Sequence, residues 1–226
     1  MLNEALVPLL LTVKIAGCAT LIVLVVGVAI AFLLARYRFW GREFLDAAFT
    51  LPMVMPPTVL GYYILVLVGR RSAFGQWLEE SFGIRLIFTW QGATIAAAIV
   101  AFPLVLKAAR TAFESVEHQL ESAARVLGAS EWKVFFRVTL PLAWRGILAG
   151  TMLAFARAMG EFGATLMVAG SIPGKTQTIS IAIYEAVQSG QDQLANFLVL
   201  LTSIVCITAL VVSGKLLLRP QNDSRG

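Results

Sequence analysis

Five long apolar stretches, at about residues 15–35, 47–69, 88–106, 146–169 and 194–214, limit what this chain can fold into. A helix needs about 20 apolar residues to cross the hydrocarbon core of a bilayer. In lipid every backbone N–H and C=O must be satisfied within the protein, so such stretches become spanning helices. The predicted fold class is therefore an all-α membrane protein with five transmembrane helices. Composition agrees. Hydrophobic residues make up 58% of the chain and mean hydropathy is +0.81, against about 45–50% apolar residues in a soluble domain. Five spans in 226 residues leave no room for a sizeable soluble domain.

The start does not read as a cleaved signal peptide. It lacks a basic n-region, and Lys14 interrupts apolar sequence running from Ala5 to Ala35. The first span is expected to stay, with Lys14 snorkelling to the interface. Orientation follows from the loops. Lys14, Arg70, Arg71, Arg85 and Lys175 fall on one side. Arg36, Arg38, Arg42, Lys107, Arg110, Arg125, Lys133, Arg137, Arg145, Lys215, Arg219 and Arg225 fall on the other. Twelve against five puts the N-terminus outside and the C-terminus in the cytoplasm. The net charge of +5 is then a topology signal, not a footprint of nucleic-acid binding. Cys18 and Cys206 each lie inside an apolar span and read as small core residues.

The second and fourth spans carry features that mere spanning does not require. LPMVMPPTVLGYY holds Pro52, Pro56 and Pro57, the last two near mid-span. Prolines there kink or break a helix. A helix restarting at Pro56 would leave the amides of Thr58, Val59 and Leu60 without intrahelical partners. Such a positive end suits an anion, although a packing kink explains the prolines equally simply. In the fourth span Gly146, Gly150, Ala154 and Ala158 repeat every four residues, a seam for close helix packing. Arg157 and Glu161 sit one turn apart inside that span. Ionised groups at such depth are costly, so they should pair with each other or line a wet path.

The loops add less. GRRSAFGQWLEESFGIRLIFTW can hold one short amphipathic helix on the outside. GSIPGKTQTIS looks like a nucleotide loop, but Gly170 and Gly174 have three residues between them where a phosphate loop needs four. No strand precedes it, and it lies on the external side. His118 is a lone histidine and receives no role. No metal-ligand or nucleophile motif stands out elsewhere, which argues against a membrane-embedded enzyme.

The longest polar interruption contains SAARVLGASEWKVFFRVTLP, residues 122–141. Val116, Leu120, Ala123, Ala124 and Leu127 recur at helical spacing, with Glu114, Glu117, Glu121 and Arg125 on the other side. Gly128 can take the left-handed conformation that ends a helix. Ser130 then caps a second short helix, with Glu131 in its first turn. Trp132, Phe135 and Phe136 form that helix's apolar side, and Pro141 stops it or kinks the next. The product is a helical hairpin at a membrane surface. On physics alone it could simply pack beneath the bundle.

The spacing of Ala123-Ala124, Gly128, Val138 and Leu140-Pro141 resembles the EAA loop of ATP-binding-cassette importer permeases. The usual pattern has Glu where this chain has Ser122 and Ile where it has Val138; the glutamate here is one place early, at Glu121. LPMVMPPTVLGYYILVLVGRR, ARAMGEFGAT and SIPGKTQTIS resemble the molybdate and sulfate permease group, and the resemblance covers about residues 10–213. It implies a five-span type I importer permease acting as a homodimer in the cytoplasmic membrane. The loop at about 113–141 would dock on two separate cytoplasmic ATPase subunits through Glu121, Ser122, Ala123, Ala124, Gly128, Ala129, Leu140 and Pro141. ATP would be bound by those subunits, with no cofactor in this chain. A periplasmic or extracellular protein would deliver the oxyanion. Pro56, Pro57, Thr58, Arg157 and Glu161 are the candidates for the path. Residues 215–226 form a polar tail. Sulfate, thiosulfate or tungstate are the alternative cargoes. An ATP-independent secondary transporter is the alternative class, against which the absence of a visible internal repeat counts.

Overall fold

The structure, a computed structural model, describes residues 2–217. The expected tail at 218–226 lies outside them. Residues 215–217 do not belong to a tail at all, because the last helix runs through them to Leu217.

Helix α1 (Leu2–Arg36) is continuous for 35 residues, about 50 Å at 1.5 Å per residue. It therefore begins well before the expected span. Lys14 is exposed, with its Nζ 3.8 Å from the centroid of the Trp90 ring, so a cation–π contact holds it against the start of α5 (Trp90–Glu114). Helix α5 continues past Lys107, where the sequence suggests the third span ends, as far as Glu114. It is the central element and packs against α1, α8 (Leu140–Met159) and α9 (Gly163–Ala169).

What lets these helices approach is the smallness of their contact residues. Ala16 and Ala19 of α1, Ala93, Ala97 and Ala101 of α5, and Ala154 and Ala158 of α8 share one buried cluster. The glycine seam behaves as its spacing predicts. A Cβ on Gly146 would fall 2.6 Å from Ala112 Cβ, and one on Gly150 would fall 2.4 Å from Ala108 Cβ. Both distances are well inside van der Waals contact, so the backbones of α5 and α8 meet where only hydrogen fits.

Two of the five expected spans are broken. The second consists of α2 (Arg42–Val54) and α3 (Pro57–Val68), bent by 116° at Met55–Pro56. The fourth consists of α8 and α9, interrupted at Gly160–Phe162. Helices α1, α5 and the run Glu131–Met159 are each long and apolar enough to cross a membrane, and the bent pair is a fourth candidate. The apolar stretch expected as the fifth span lies in α11 (Asp192–Leu217), whose Asp192–Thr208 part is apolar but shorter than these candidates. Between the bent pair and α5, α4 (Ala73–Phe82) is the short helix expected in that loop, started by the Ser72 side chain accepting from Gly75 N. A second short helix, α10 (Ile179–Gln188), has no counterpart among the expectations. The amide of Ile179 donates to Thr12 Oγ1 at 2.9 Å and ties α10 to α1.

Charge also pins the end of the bundle where α2 meets α5. Asp46 on α2 receives Lys107 and Arg110 from α5, the latter at 2.9 Å. Glu114 receives Arg110 at 2.9 Å and Arg42 at 3.1 Å.

Candidate functional site

The hairpin is built from α6 (His118–Val126), a corner at Gly128 and α7 (Glu131–Val134). Gly128 has φ +82°. Its amide donates to Arg125 O at 2.9 Å, and Ala129 N reaches Ala124 O at 3.1 Å. This is the pair of bonds that closes a Schellman C-cap, which needs a left-handed residue at its apex. A Cβ on Gly128 would meet nothing within 4 Å, so the glycine answers a backbone need and leaves the corner open. The guanidinium of Arg125 clasps Glu131 across it, at 2.7 and 3.1 Å. That hydrogen bonding holds the Glu131 carboxyl below the usual carboxylate range.

Three expectations for this stretch need correction. Ser130 occupies the N-cap position of α7, but its side chain makes no capping bond. Pro141 does not stop the second helix. A π turn over Phe135–Thr139 leads into α8, with Leu140 N bonded to Phe135 O, and widens the helix just where proline supplies no donor. The expected faces of this stretch hold only in part: Glu114, Glu117 and Arg125 are exposed and Val116 is buried as expected, but four residues are reversed. Glu121 is buried, Val126 and Leu127 are 88% and 87% exposed, and Leu120 and Ala123 are exposed as well. The cause is tertiary: Arg36 and Thr139 draw the Glu121 carboxylate inward, and the helix turns its Leu120, Ala123 and Leu127 side outward.

Phe135 turns inward, with its ring centroid 4.7 Å from Phe32 of α1 and 6.3 Å from Phe113 of α5. Trp132 and Phe136 stack on each other at 6.1 Å and stay exposed. The expected apolar side of the second helix is therefore split between an anchor and an outward face. Ser122, Gly128 and Pro141 are exposed, while Ala124, Ala129 and Leu140 are half-buried. The hairpin thus presents an apolar, uncovered tip, which on a folded chain marks a surface that another molecule covers.

The second candidate group lies where the two broken spans meet. Helix α3 restarts at Pro57, not Pro56, and the carbonyl of Pro56 accepts from Val59 N at 2.9 Å and Leu60 N at 3.2 Å. Two of the three amides expected to be free are therefore satisfied, and only Thr58 among them is left without such a bond. A Cβ on Gly163 would lie 3.2 Å from both Pro57 Cβ and Thr58 Cγ2, and one on Gly61 would lie 2.7 Å from Met167 Cβ. The two breaks are thus pressed together. Beside them Arg157 Nη1 approaches Glu161 Oε2 at 2.8 Å, close enough for an ion pair though off the hydrogen-bond direction. The other oxygen, Oε1, accepts from Ala164 N at 2.9 Å and caps α9. Glu161 is buried, whereas the Arg157 side chain is about one-third exposed. Pro57, Thr58, Arg157 and Glu161 are brought to one locality; Pro56 and Thr58 are exposed.

Residues 24–220 match the family described as binding-protein-dependent transport system inner membrane component. The chain belongs to this family. It is a permease subunit of an ATP-binding-cassette importer, a transport component and not an enzyme. Among curated relatives, the molybdenum transport system permease protein ModB of Escherichia coli is 45% identical over 204 residues, 89% of each chain. The putative molybdenum transport system permease protein YvgM of Bacillus subtilis is 45% identical over 193 residues, 85% of each. The sulfate transport system permease protein CysW of Synechococcus elongatus is 38% identical over 199 residues, 88% of this chain and 69% of that one. The inward-facing MetNI methionine ABC transporter superposes with a TM-score of 0.74 at 14% identity, covering 96% of each chain. A bacterial alginate ABC transporter in complex with an alginate pentasaccharide-bound periplasmic protein gives 0.67 at 16% identity, covering 93% of this chain and 77% of that one. At these identities the structural likeness is one of fold.

Proposed function

We propose that the chain forms, as a homodimer, the membrane pathway of a molybdate importer driven by two cytoplasmic ATPase subunits and fed by an external oxyanion-binding protein. The N-terminus lies outside and the C-terminus in the cytoplasm, as the distribution of Lys and Arg indicates. The observation that carries the substrate is the 45% identity, over 89% of both chains, to a molybdenum permease. Sulfate permeases match less closely and are longer than this chain.

The hairpin is the docking element. Its exposed Val126, Leu127, Trp132 and Phe136 offer an apolar tip for a cleft on the ATPase, with Ser122, Ala123, Ala124, Gly128, Ala129, Leu140 and Pro141 lining or shaping it. The apposed breaks form the path. The free amide of Thr58 and the exposed side of Arg157 are donors that an oxyanion can meet in passing. Glu161 orients Arg157 through their ion pair.

The test is uptake into proteoliposomes holding the permease, its ATPase and its binding protein. Molybdate should accumulate only with ATP, and a hundredfold excess of sulfate should compete weakly. Sulfate uptake at the molybdate rate would replace the assigned cargo, and uptake without ATP would remove the importer reading altogether.

A further inference from the structure

Glu121 is the one buried residue of α6. The remaining residues of that helix are exposed or half-buried, a three-residue break precedes it, and a glycine corner follows it. Whatever displaces α6 can therefore pull on the bundle chiefly through this side chain or through the backbone at its ends.

The partners of Glu121 come from two other parts of the fold. Arg36, the last residue of α1, forms an ion pair with Oε1 through Nη2. Thr139, the last residue of the π turn at the foot of α8, donates its hydroxyl to the same oxygen at 2.6 Å. His118, on the first turn of α6, places Nδ1 3.6 Å from Oε2 and Nε2 3.5 Å from Arg36 Nη1. The Glu121 side chain is 3% exposed and that of Arg36 is 13% exposed. An apolar side chain in this place would slide over its neighbours. A charge-assisted bond is directional, and breaking a buried pair leaves an uncompensated charge, so the pair resists being parted.

The geometry points to Glu121 as a positioning residue that ties the docking helix to α1 and α8 together, handing movement of the hairpin to two spans at once. The inference rests on the reading of the hairpin as the ATPase-docking element. It assigns the carboxylate to a contact inside this chain and not to the ATPase surface. The π turn belongs to the same device, because it ends on Thr139 and sets that hydroxyl against the carboxylate.

The experiment uses the full complex with its ATPase in proteoliposomes and reads molybdate moved per ATP hydrolysed. Arg36→Gln, Glu121→Gln and Thr139→Val should each lower that ratio, by about tenfold or more for the two charged positions. Thr139→Ser keeps the hydroxyl and should restore the parent's ratio. The double variant Arg36→Gln/Glu121→Gln should be no worse than the poorer single, because the two groups act as one unit. A fall in uptake and hydrolysis together, with the ratio unchanged, would mean a merely structural role and overturn the proposal. Loss of the ATPase from the variants would place the carboxylate in the docking surface and overturn it equally. A parent complex that moves no molybdate would defeat the substrate reading and leave the tie to a measurement that needs no substrate. That measurement is amide exchange across residues 119–127 of the purified chain. Glu121→Gln should speed this exchange about tenfold while α8 stays protected, and unchanged exchange would overturn the tie.

Discussion

Moving one methyl group across the α5–α8 contact should destabilise the bundle, and moving a second one back should repair it. Gly146→Ala sets a Cβ 2.6 Å from Ala112 Cβ, while the next nearest atoms, Ala112 Cα and Ala108 O, are 3.6 and 3.8 Å away. Carbon atoms in good contact lie about 3.5–4.0 Å apart, so the helices must separate by about 1 Å, and overpacking of this kind costs about 1–3 kcal/mol. Ala112→Gly removes the one clashing methyl. The double variant exchanges one helical glycine for another, so the helix-propensity difference of about 1 kcal/mol cancels. It should unfold close to the parent. Gly150→Ala with Ala108→Gly should recover only in part, because Leu104 O still lies 3.1 Å from the new Cβ. The assay is equilibrium unfolding of the purified chain in mixed micelles with rising dodecyl sulfate. A Gly146→Ala chain as stable as the parent, or one that Ala112→Gly does not rescue, would refute the argument that this seam sets the approach of α5 and α8.

Arg157→Gln should cut ATP-driven molybdate uptake while the complex still assembles, since this residue is about one-third exposed and pairs with Glu161 at the break between α8 and α9; undiminished uptake with Glu161 intact would remove Arg157 from the path. The Arg125–Glu131 clasp should respond to acid. The folded Glu131 pKa lies below its ordinary value, so the contribution of the clasp is present above that ordinary value and lost as pH falls through the lowered one. Trp132 fluorescence should report loosening of the corner in that acid window, and Glu131→Gln should loosen it at neutral pH and abolish the transition; an unchanged transition in the variant would assign it to another group.

The sequence was legible where one local rule decides the outcome. Apolar run length was a sound guide to the long helices α1, α5 and α8, and Pro56-Pro57 located the 116° bend, because a missing donor cannot be restored by packing. Gly128 was legible for the same kind of reason: a helix followed at once by another needs a left-handed corner, and only one residue there takes it without strain. The seam from Gly146 to Ala158 could be read as an interface, though not which helix would meet it. Legibility failed where several elements decide together. Glu121 reads as solvent-facing because it lies off the stripe of Leu120, Ala123, Ala124 and Leu127, and a carboxylate there ordinarily faces water. Its burial depends on Arg36, 85 positions away. The satisfied amides of Val59 and Leu60 depended on whether α3 restarts at Pro56 or Pro57, a difference of one residue. Helix α10 was missed because ten residues in a loop carry too short a pattern, and because Thr12 on α1 supplies its first bond.

The central claim is that the hairpin at Gly128 couples this permease to its ATPase. The Cβ position at Gly128 is empty within 4 Å, so Gly128→Asp has room within the chain and carries only a left-handed backbone cost of about 1–2 kcal/mol. The variant should insert and fold, and the added carboxylate should be felt only by what docks on the corner. The deciding measurement is ATP-driven molybdate uptake by membrane vesicles containing Gly128→Asp at the parent's level of expression. Uptake near zero is the result the account predicts. Uptake at the parent's rate would mean that the corner touches no partner and that the hairpin merely packs at the membrane surface.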